Sequence, residues 1–256
     1  MIRSLYTAVS GLITLENKQA TITNNIANAN TTGFKGDNLS MKSFDEVLIQ
    51  NRDKISGGSN VKNPIGTLSL GAEIDSVDTR FTQGLLKSTN KPTDLAIDGR
   101  GFFTVQNGNE TVFTRDGNFK VANDGYLITN GGDRVLGTNK NTGTIEPIFV
   151  GTNNFVIDNY NGVNVNGEST YSLALADFND YGTLTKVGDN YYSGKNPVYN
   201  AQVWVNQGYL EQSNVNVSDE MIEMMTTMRN FETNQKMVQT IDSTLEKAAN
   251  EIGNVR

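Results

Sequence analysis

The 256-residue chain contains no cysteine and no histidine. Without cysteine there is no disulfide framework, no thiolate nucleophile and no zinc-finger spacing. Without histidine the usual general base and the commonest metal ligand are missing, so any catalysis would rest on carboxylates, Lys, Tyr or Ser. Tryptophan occurs once, at Trp204, whereas a sugar cleft usually carries several aromatic platforms. No apolar run approaches the roughly 20 residues that span a bilayer. The opening stretch MIRSLYTAVSGLITLENKQ has no long apolar core and no cleavage site before Glu16. Neither membrane insertion nor a removable secretory signal is therefore expected. Hydrophobic residues make up 36% of the chain and the mean hydropathy is −0.42, low values that indicate an elongated, surface-rich molecule. A formal net charge of −7 and a pI near 4.7 argue against a nucleic-acid partner.

Catalytic and nucleotide motifs are lacking too. Gly99-Arg100-Gly101 is a lone GxG without a third glycine or a following helix. There is no GxxxxGK[ST] and no GxSxG. Asp116-Gly117-Asn118 and Asn123-Asp124-Gly125 look like fragments of calcium loops, but neither runs on to the glutamate such a loop needs, and turn chemistry accounts for both. No catalytic, cofactor-binding or metal-ligating residue is assigned, and neither a cofactor nor a small-molecule substrate is expected. A carboxylate-pair glycosidase leaves no local signature, so a cell-wall-binding, carbohydrate-active β protein stands as the alternative from another class.

What the chain does have is two helical ends around a β middle. Leu5, Leu12, Gln19 and Ile26 form one seven-residue row, and Ala8, Leu15, Ile22 and Ala29 the row three positions on. Together they read as an a/d seam broken at Gln19, with Glu16, Lys18, Thr21 and Asn25 on the opposite, polar face. Gly11 costs about 1 kcal/mol relative to Ala if helical. At the other end Val217, Met224, Phe231, Val238, Leu245 and Ile252 fall every seventh residue, Met221 and Met228 supply a neighbouring row, and Ile241 and Ala248 widen the stripe. Ser218 is a good N-cap, Asp219 and Glu220 suit the first turn, and Gly253 suits a C-cap. A continuous helix over 218–252 would be about 50 Å long, too long for the core of so small a domain. The expected pairing is of the two helices with each other, with apolar surface left over for other subunits. Met adapts to several packing partners.

Between the ends, turn pairs recur: Asp-Gly at 98–99, 116–117 and 124–125, and Asn-Gly at 107–108, 130–131, 161–162 and 166–167. They punctuate short strand-like pieces such as 101–106, 111–115 and 171–178, which predicts an all-β body. Residues 50–70, with Gly57-Gly58 inside, show little periodicity and read as a long loop or an extended arm. The predicted fold class is α+β, with long N- and C-terminal helices pairing as a coiled-coil-like stalk and an all-β central domain. The expected divisions are 1–35 helical, 36–75 extended linker or arm, 76–214 all-β and 215–256 helical. Leu5, Leu12, Leu15, Ile22, Ile26, Val217, Met221, Met224, Met228, Phe231, Val238, Ile241 and Leu245 are the candidate assembly interface.

Three blocks carry a resemblance. The first is Thr23-Asn24-Asn25-Ile26-Ala27-Asn28-Ala29-Asn30-Thr31-Thr32-Gly33-Phe34-Lys35, preceded by Ser10-Gly11-Leu12. The second is Asp94 to Phe103, with Asp98, Gly99, Gly101, Phe102 and Phe103, followed by Phe113 to Phe119 with Arg115, Asp116 and Gly117, and by Asp124 to Leu127. The third is Gly208 to Val217, with Ser213, Asn214 and Val215, running into a helix that carries Arg229, Phe231 and Glu232. In this order they resemble the flagellar rod and hook family of axial proteins, and cover most of the chain. Length and the Ser213–Val217 block are most similar to its distal rod members, with the other rod subunit of similar length as the alternative. Residues 45–75 lie where distal rod members carry an extended stretch thought to stiffen the rod, here with a different sequence. The resemblance implies a structural, non-enzymatic subunit of a helical homopolymer that transmits torque. It also implies contacts with neighbouring rod and hook subunits, and export by the flagellar secretion apparatus to the extracytoplasmic basal body. It places the terminal helices in the inner wall of a tube.

Overall fold

The computed structural model describes residues 2–56, 59–151, 155–158, 160–165, 167–199 and 203–253. Gly57-Gly58, Asn166 and the side chain of Ile252 lie outside the described residues. The chain divides into two compact units. The first combines Met1–Ile26, Asp37–Asp78 and Val217–Arg256, and the second Ala27–Gly36 and Thr79–Asn216.

The first unit holds helix α1 (Ile2–Ala27), strands β1 (Asp37–Ser43), β2 (Val47–Ser56), β3 (Ser59–Leu68) and β4 (Ala72–Thr79), and helix α2 (Val217–Gly253). Strand β1 pairs with β4. Strands β2 and β3 form an antiparallel ribbon from Val47↔Leu68 to Ser56↔Ser59, so the stretch predicted as a loop or arm is largely a two-stranded hairpin. Side chains of α1 tie it to this β layer. Asn25 Nδ2 donates to the Asp37 carbonyl at 2.8 Å while its Oδ1 accepts from the Asp37 N–H at 2.9 Å. Thr7 Oγ1 donates to the Leu70 carbonyl, and Ser10 Oγ accepts from the Ala72 N–H.

Among the described residues, the second unit is built on a sheet of 13 strands. Its centre is β7 (Phe102–Asn107), flanked antiparallel by β8 (Glu110–Thr114) and by Arg134–Asn139. Gly108 turns the β7–β8 hairpin at φ 59°, a conformation open to glycine without a Cβ penalty. Successive side chains of a strand point to opposite faces, and β7 has a core on each. Phe103 packs with Leu95, Ile97, Phe119, Leu127, Val135 and Ile148. Its neighbour Phe102 packs with Phe113, Phe178 and Tyr192, where ring pairs lie 4.9–6.0 Å apart at tilted or edge geometries. Two short antiparallel pairs complete the unit: β5 (Leu86–Ser88) with Tyr209–Glu211 and β6 (Leu95–Asp98) with Trp204–Gln207.

The expected fold class needs correction. Strand outweighs helix among the described residues, and α1 and α2 do not make a coiled-coil stalk. A knobs-into-holes seam buries its a and d side chains. Here no described hydrophobic side chain of α2 is buried, and in α1 only Leu15 and Ile22 are. Polar contacts link the helices and run antiparallel. Asn25 Nδ2 donates to Glu220 Oε2 at 3.3 Å, Lys18 Nζ lies 2.8 Å from Glu223 Oε1, and the side chain of Asn234 stands against Gly11. A cleft of about 310 Å³, lined by Gly11, Thr14, Leu15, Met41, Asn230, Thr233 and Asn234, opens where a knob would sit. Lys18 and Asn25, expected on the polar outer face, therefore point inward. Helix α2 also starts at Val217, one residue before the predicted cap Ser218. No described helix is long and apolar enough to cross a membrane.

Candidate functional site

The three motif blocks, far apart in sequence, converge in the second unit on one buried cluster of charge. Lys35 is 0% exposed and Glu211 1%, and Lys35 Nζ meets Glu211 Oε1 at 2.5 Å. The ammonium also donates to the Thr82 carbonyl at 2.7 Å, and Glu211 Oε1 accepts from the Gly84 N–H at 2.9 Å. From the β8 side, Arg115 donates through Nη1 to Glu211 Oε2 at 3.3 Å and through Nη2 to the Gly99 carbonyl at 2.9 Å. Its guanidinium lies 5.3 Å from the Phe102 ring centroid. Burial lowers the pKa of Lys35 from its ordinary value, and Glu211 opposes that shift. A buried ion cluster of this kind is strong evidence of fixed geometry and weak evidence of net stability, because desolvation offsets most of the attraction. Apart from Arg115 Nε, which is buried without a hydrogen-bond partner, its polar groups are taken up by one another and by backbone, so its chemistry is mutual neutralisation.

The backbone around the cluster is equally committed. The Gly33 N–H donates to the Glu211 carbonyl at 2.8 Å. Gly33 sits at φ +67°, and a Cβ there would fall 2.4 Å from Asp116 N, so only glycine fits. A Cβ at Gly117 would fall 1.6 Å from the Leu95 carbonyl oxygen. Asn214 replaces missing backbone partners: its Oδ1 accepts from the Gly36 N–H at 2.9 Å and its Nδ2 donates to the Arg80 carbonyl at 2.6 Å. Thr32 Oγ1 donates to Asp116 Oδ1 at 2.7 Å, and the same oxygen accepts from the Asn118 N–H at 3.0 Å. That local bond is a turn, which accounts for the calcium-like fragment. Burial raises the Asp116 pKa, opposed by these two hydrogen bonds. Lys186 Nζ donates to the Lys35 carbonyl at 2.8 Å and lies over the Phe34 ring.

Among the predicted motif residues, Gly33, Phe34, Lys35, Gly101, Phe102, Phe103, Arg115, Gly117 and Val215 are buried in this unit. Gly99, Asp116, Ser213 and Asn214 are partly covered, and Asp98 is exposed. Asn28 is partly covered and Ala27 exposed, while Asn24 and Asn25, at the end of α1, belong to the first unit. Glu211, the centre of the cluster, was not among the predicted residues. One signal existed: it is the only acid between Asp189 and Asp219.

In the first unit the predicted assembly residues separate. Leu15 and Ile22 are buried, and Leu5, Leu12, Ile26, Val217, Met224, Phe231, Val238, Ile241 and Leu245 are half-buried. Met221 and Met228 are exposed, at 51% and 45%. The row of α2 that accompanies Val217, Met224 and Phe231 on the inner side is instead Glu220, Thr227 and Asn234, of which Glu220 and Thr227 are buried.

Comparison with known proteins places these features. The family described as flagella basal body rod protein matches residues 5–35. Flagellar hook protein FlgE/F/G D1 domain matches 96–170, and flagellar basal body rod FlgEFG protein C-terminal matches 206–251. The chain is 32% identical to the flagellar hook-basal body complex protein FlhO of Bacillus subtilis, with 100% of each covered. It is 33% identical to the flagellar basal-body rod protein FlgG of the same organism, over 98% of this chain and 99% of that one. It is also 33% identical to the flagellar basal-body rod protein FlgF of Caulobacter vibrioides, with 100% of each covered.

Proposed function

The chain belongs to the flagellar basal-body rod and hook family and is a structural subunit of the rod, and we propose that its copies build the distal segment of a helical tube that carries torque from motor to hook. One observation carries the mechanical part. The three family-matched segments hold the partners Lys35, Arg115 and Glu211 of a single closed charge cluster. A shaft needs subunits that do not deform under load, and a buried cluster that cannot be opened without exposing unpaired charge supplies that stiffness. Assembly then falls to the terminal helices, through the half-buried and exposed apolar residues of α1 and α2, with non-directional adhesion between copies. Its partners are further copies of itself and the neighbouring rod and hook subunits. Its place is the basal body, reached through the flagellar secretion apparatus.

The distal position is supported by the chain's length and the Ser213–Val217 block. Identity to FlgG and FlgF relatives is equal, so the rod itself is the place to test it. Basal bodies from a strain lacking the protein, imaged by electron microscopy, are expected to carry a rod that stops short at its hook end. A rod that stops near the motor moves the subunit to the proximal segment, and a complete rod with a hook overturns the reading. Disabling the export apparatus is expected to leave the protein in the cytoplasm; its undiminished appearance in basal bodies refutes that route.

A further inference from the structure

Four Asn-Gly pairs punctuate the β body. Three of them, at 107–108, 130–131 and 161–162, lie wholly within the described residues. Such a pair forms turns, and it also carries a reaction of its own. The glycine nitrogen, with no side chain beside it, can reach the carboxamide carbon of the preceding asparagine. A bond forms from the glycine N to the asparagine Cγ, the Cγ–Nδ2 bond breaks, and the amide proton leaves with Nδ2 as ammonia. The product is a five-membered succinimide. Water then opens the ring. Attack at the side-chain carbonyl leaves aspartate, and attack at the backbone carbonyl leaves isoaspartate.

The fold separates the three pairs. At the third, Asn161 Nδ2 donates to the Val203 carbonyl at 2.8 Å, and the Gly162 N–H donates to Asp158 Oδ1 at 2.6 Å. Gly162 is buried, and a Cβ there would fall 2.5 Å from Asp158 Oδ2. The Asn161 backbone is pinned on both sides, its N–H to the Asp158 carbonyl at 3.0 Å and its carbonyl to the Leu173 N–H at 2.9 Å. Neither the attacking nitrogen nor the attacked carbon can move without breaking hydrogen bonds. Asn107 and Asn130 differ on each count. Both are exposed, as are Gly108 and Gly131. Among the described residues no hydrogen bond engages either carboxamide or either glycine N–H. A Cβ at Gly108 would meet nothing within 4 Å, so that turn has room to rotate.

We infer that Asn107 and Asn130 are sites of spontaneous intramolecular deamidation in the folded protein, and that the fold protects Asn161. Each conversion adds one negative charge to the formal −7. At position 107 the new carboxylate stands directly opposite Glu110, its partner across the β7–β8 hairpin, where like charges oppose pairing. The isoaspartate form also inserts a methylene into the backbone at the last residue of β7, and so displaces the pair that closes the hairpin. At position 130 the charge enters a turn that already holds Asp133, whose Oδ2 would lie 3.4 Å from a Cβ at Gly131. The two turns therefore gain charge for as long as the chain persists, while the 161–162 turn does not.

Neither site depends on the rod-subunit reading, and the test leaves that reading untouched. Purified full-length protein is incubated at neutral and mildly alkaline pH, both folded and in urea. Peptide mass spectrometry, with fragmentation that separates aspartate from isoaspartate, follows each asparagine. In the folded protein Asn107 and Asn130 are expected to convert. Asn161 is expected to lag behind both by on the order of a hundredfold, because two hydrogen bonds, one of them to a carboxylate oxygen, must open first. In urea the three rates are expected to converge. Asn107→Gln, which would need a less favourable six-membered ring, is expected to silence the first site. It should leave the second site and the unfolding midpoint as in wild type. Folded protein in which Asn161 keeps pace with the other two overturns the proposal. So does folded protein in which Asn107 or Asn130 stays intact while converting in urea.

Discussion

The two units solve opposite problems. The second packs an apolar core on each face of β7 and brings Lys35 and Arg115 to Glu211 in its interior. The first buries a carboxylate and a threonine of α2 at its helix contact and leaves four methionines of that helix exposed. A unit built on two packed cores and an interior ion cluster depends on its own contacts to fold. A unit whose helices leave Tyr6, Ile13, Ile222 and Met225 exposed has apolar surface to offer a neighbour. Mutations should therefore divide between those that unfold the chain and those that only keep it from assembling.

The largest effect on stability belongs at Glu211. Glu211→Ala leaves Lys35 and Arg115 buried without their shared carboxylate, and removing one member of a buried ion cluster costs about 3–5 kcal/mol. Urea unfolding checks this, and a loss below about 1 kcal/mol would show that the cluster is not what holds the three segments together. Gly33→Ala comes next. It forces an alanine to φ +67° with its Cβ 2.4 Å from Asp116 N, a strain worth about 2 kcal/mol or more, read as a drop in unfolding midpoint.

Alkaline pH supplies a smaller effect. Tyr191 donates to Asp133 at 2.7 Å and lies 2.9 Å from Thr129 Oγ1. Burial is the main cause that pushes its pKa from 10.0 up to about 12, with Asp133 adding to the rise and Thr129 opposing it. The neutral phenol is thus favoured in the folded state. Its contribution is fully present below pH 10 and is lost as pH rises to about 12, a fall of at most about 2–3 kcal/mol. Lys35 works the other way: its pKa is lowered, so its own contribution grows as pH climbs toward 10.5. Comparing stability against pH for wild type and Tyr191→Phe isolates the first slope, which should be absent in the variant. An unchanged slope would assign the alkaline loss elsewhere.

The smallest effect on stability is expected in the first unit. Met228→Asp changes an exposed side chain and should shift unfolding by no more than about 0.5 kcal/mol, yet abolish incorporation into the rod. Circular dichroism and basal-body microscopy on the same variant check both halves. A Met228→Asp protein that fails to fold would erase the contrast between the units, and one that builds normal rods would take Met228 out of the interface.

Much of this was legible beforehand. Asn107-Gly108 announced its hairpin, the heptad rows announced two helices, and the blocks around Phe34, Arg115 and Asn214 announced the family. That the helices pair was expected, but the side chains through which they meet were not. A seven-residue repeat reports that a helix has an apolar face, but Glu220 and Met221, one step apart, lie about 100° around the axis from each other. Which of the two is covered depends on where α1 and β1 pass. Nor was Glu211 legible as the counter-charge of Lys35, since ion pairs across more than a hundred residues leave no spacing to read.

The order of residues by itself determined the turns, the strand alternation that sends Phe102 and Phe103 to different cores, and the extent of the two helices, because these follow from backbone preference and local period. Only the tertiary structure decided that the helices meet through Lys18, Asn25, Glu220 and Asn234, and that three distant segments share one carboxylate. Burial is a property of what surrounds a side chain, and those surroundings come from parts of the chain that local sequence does not see.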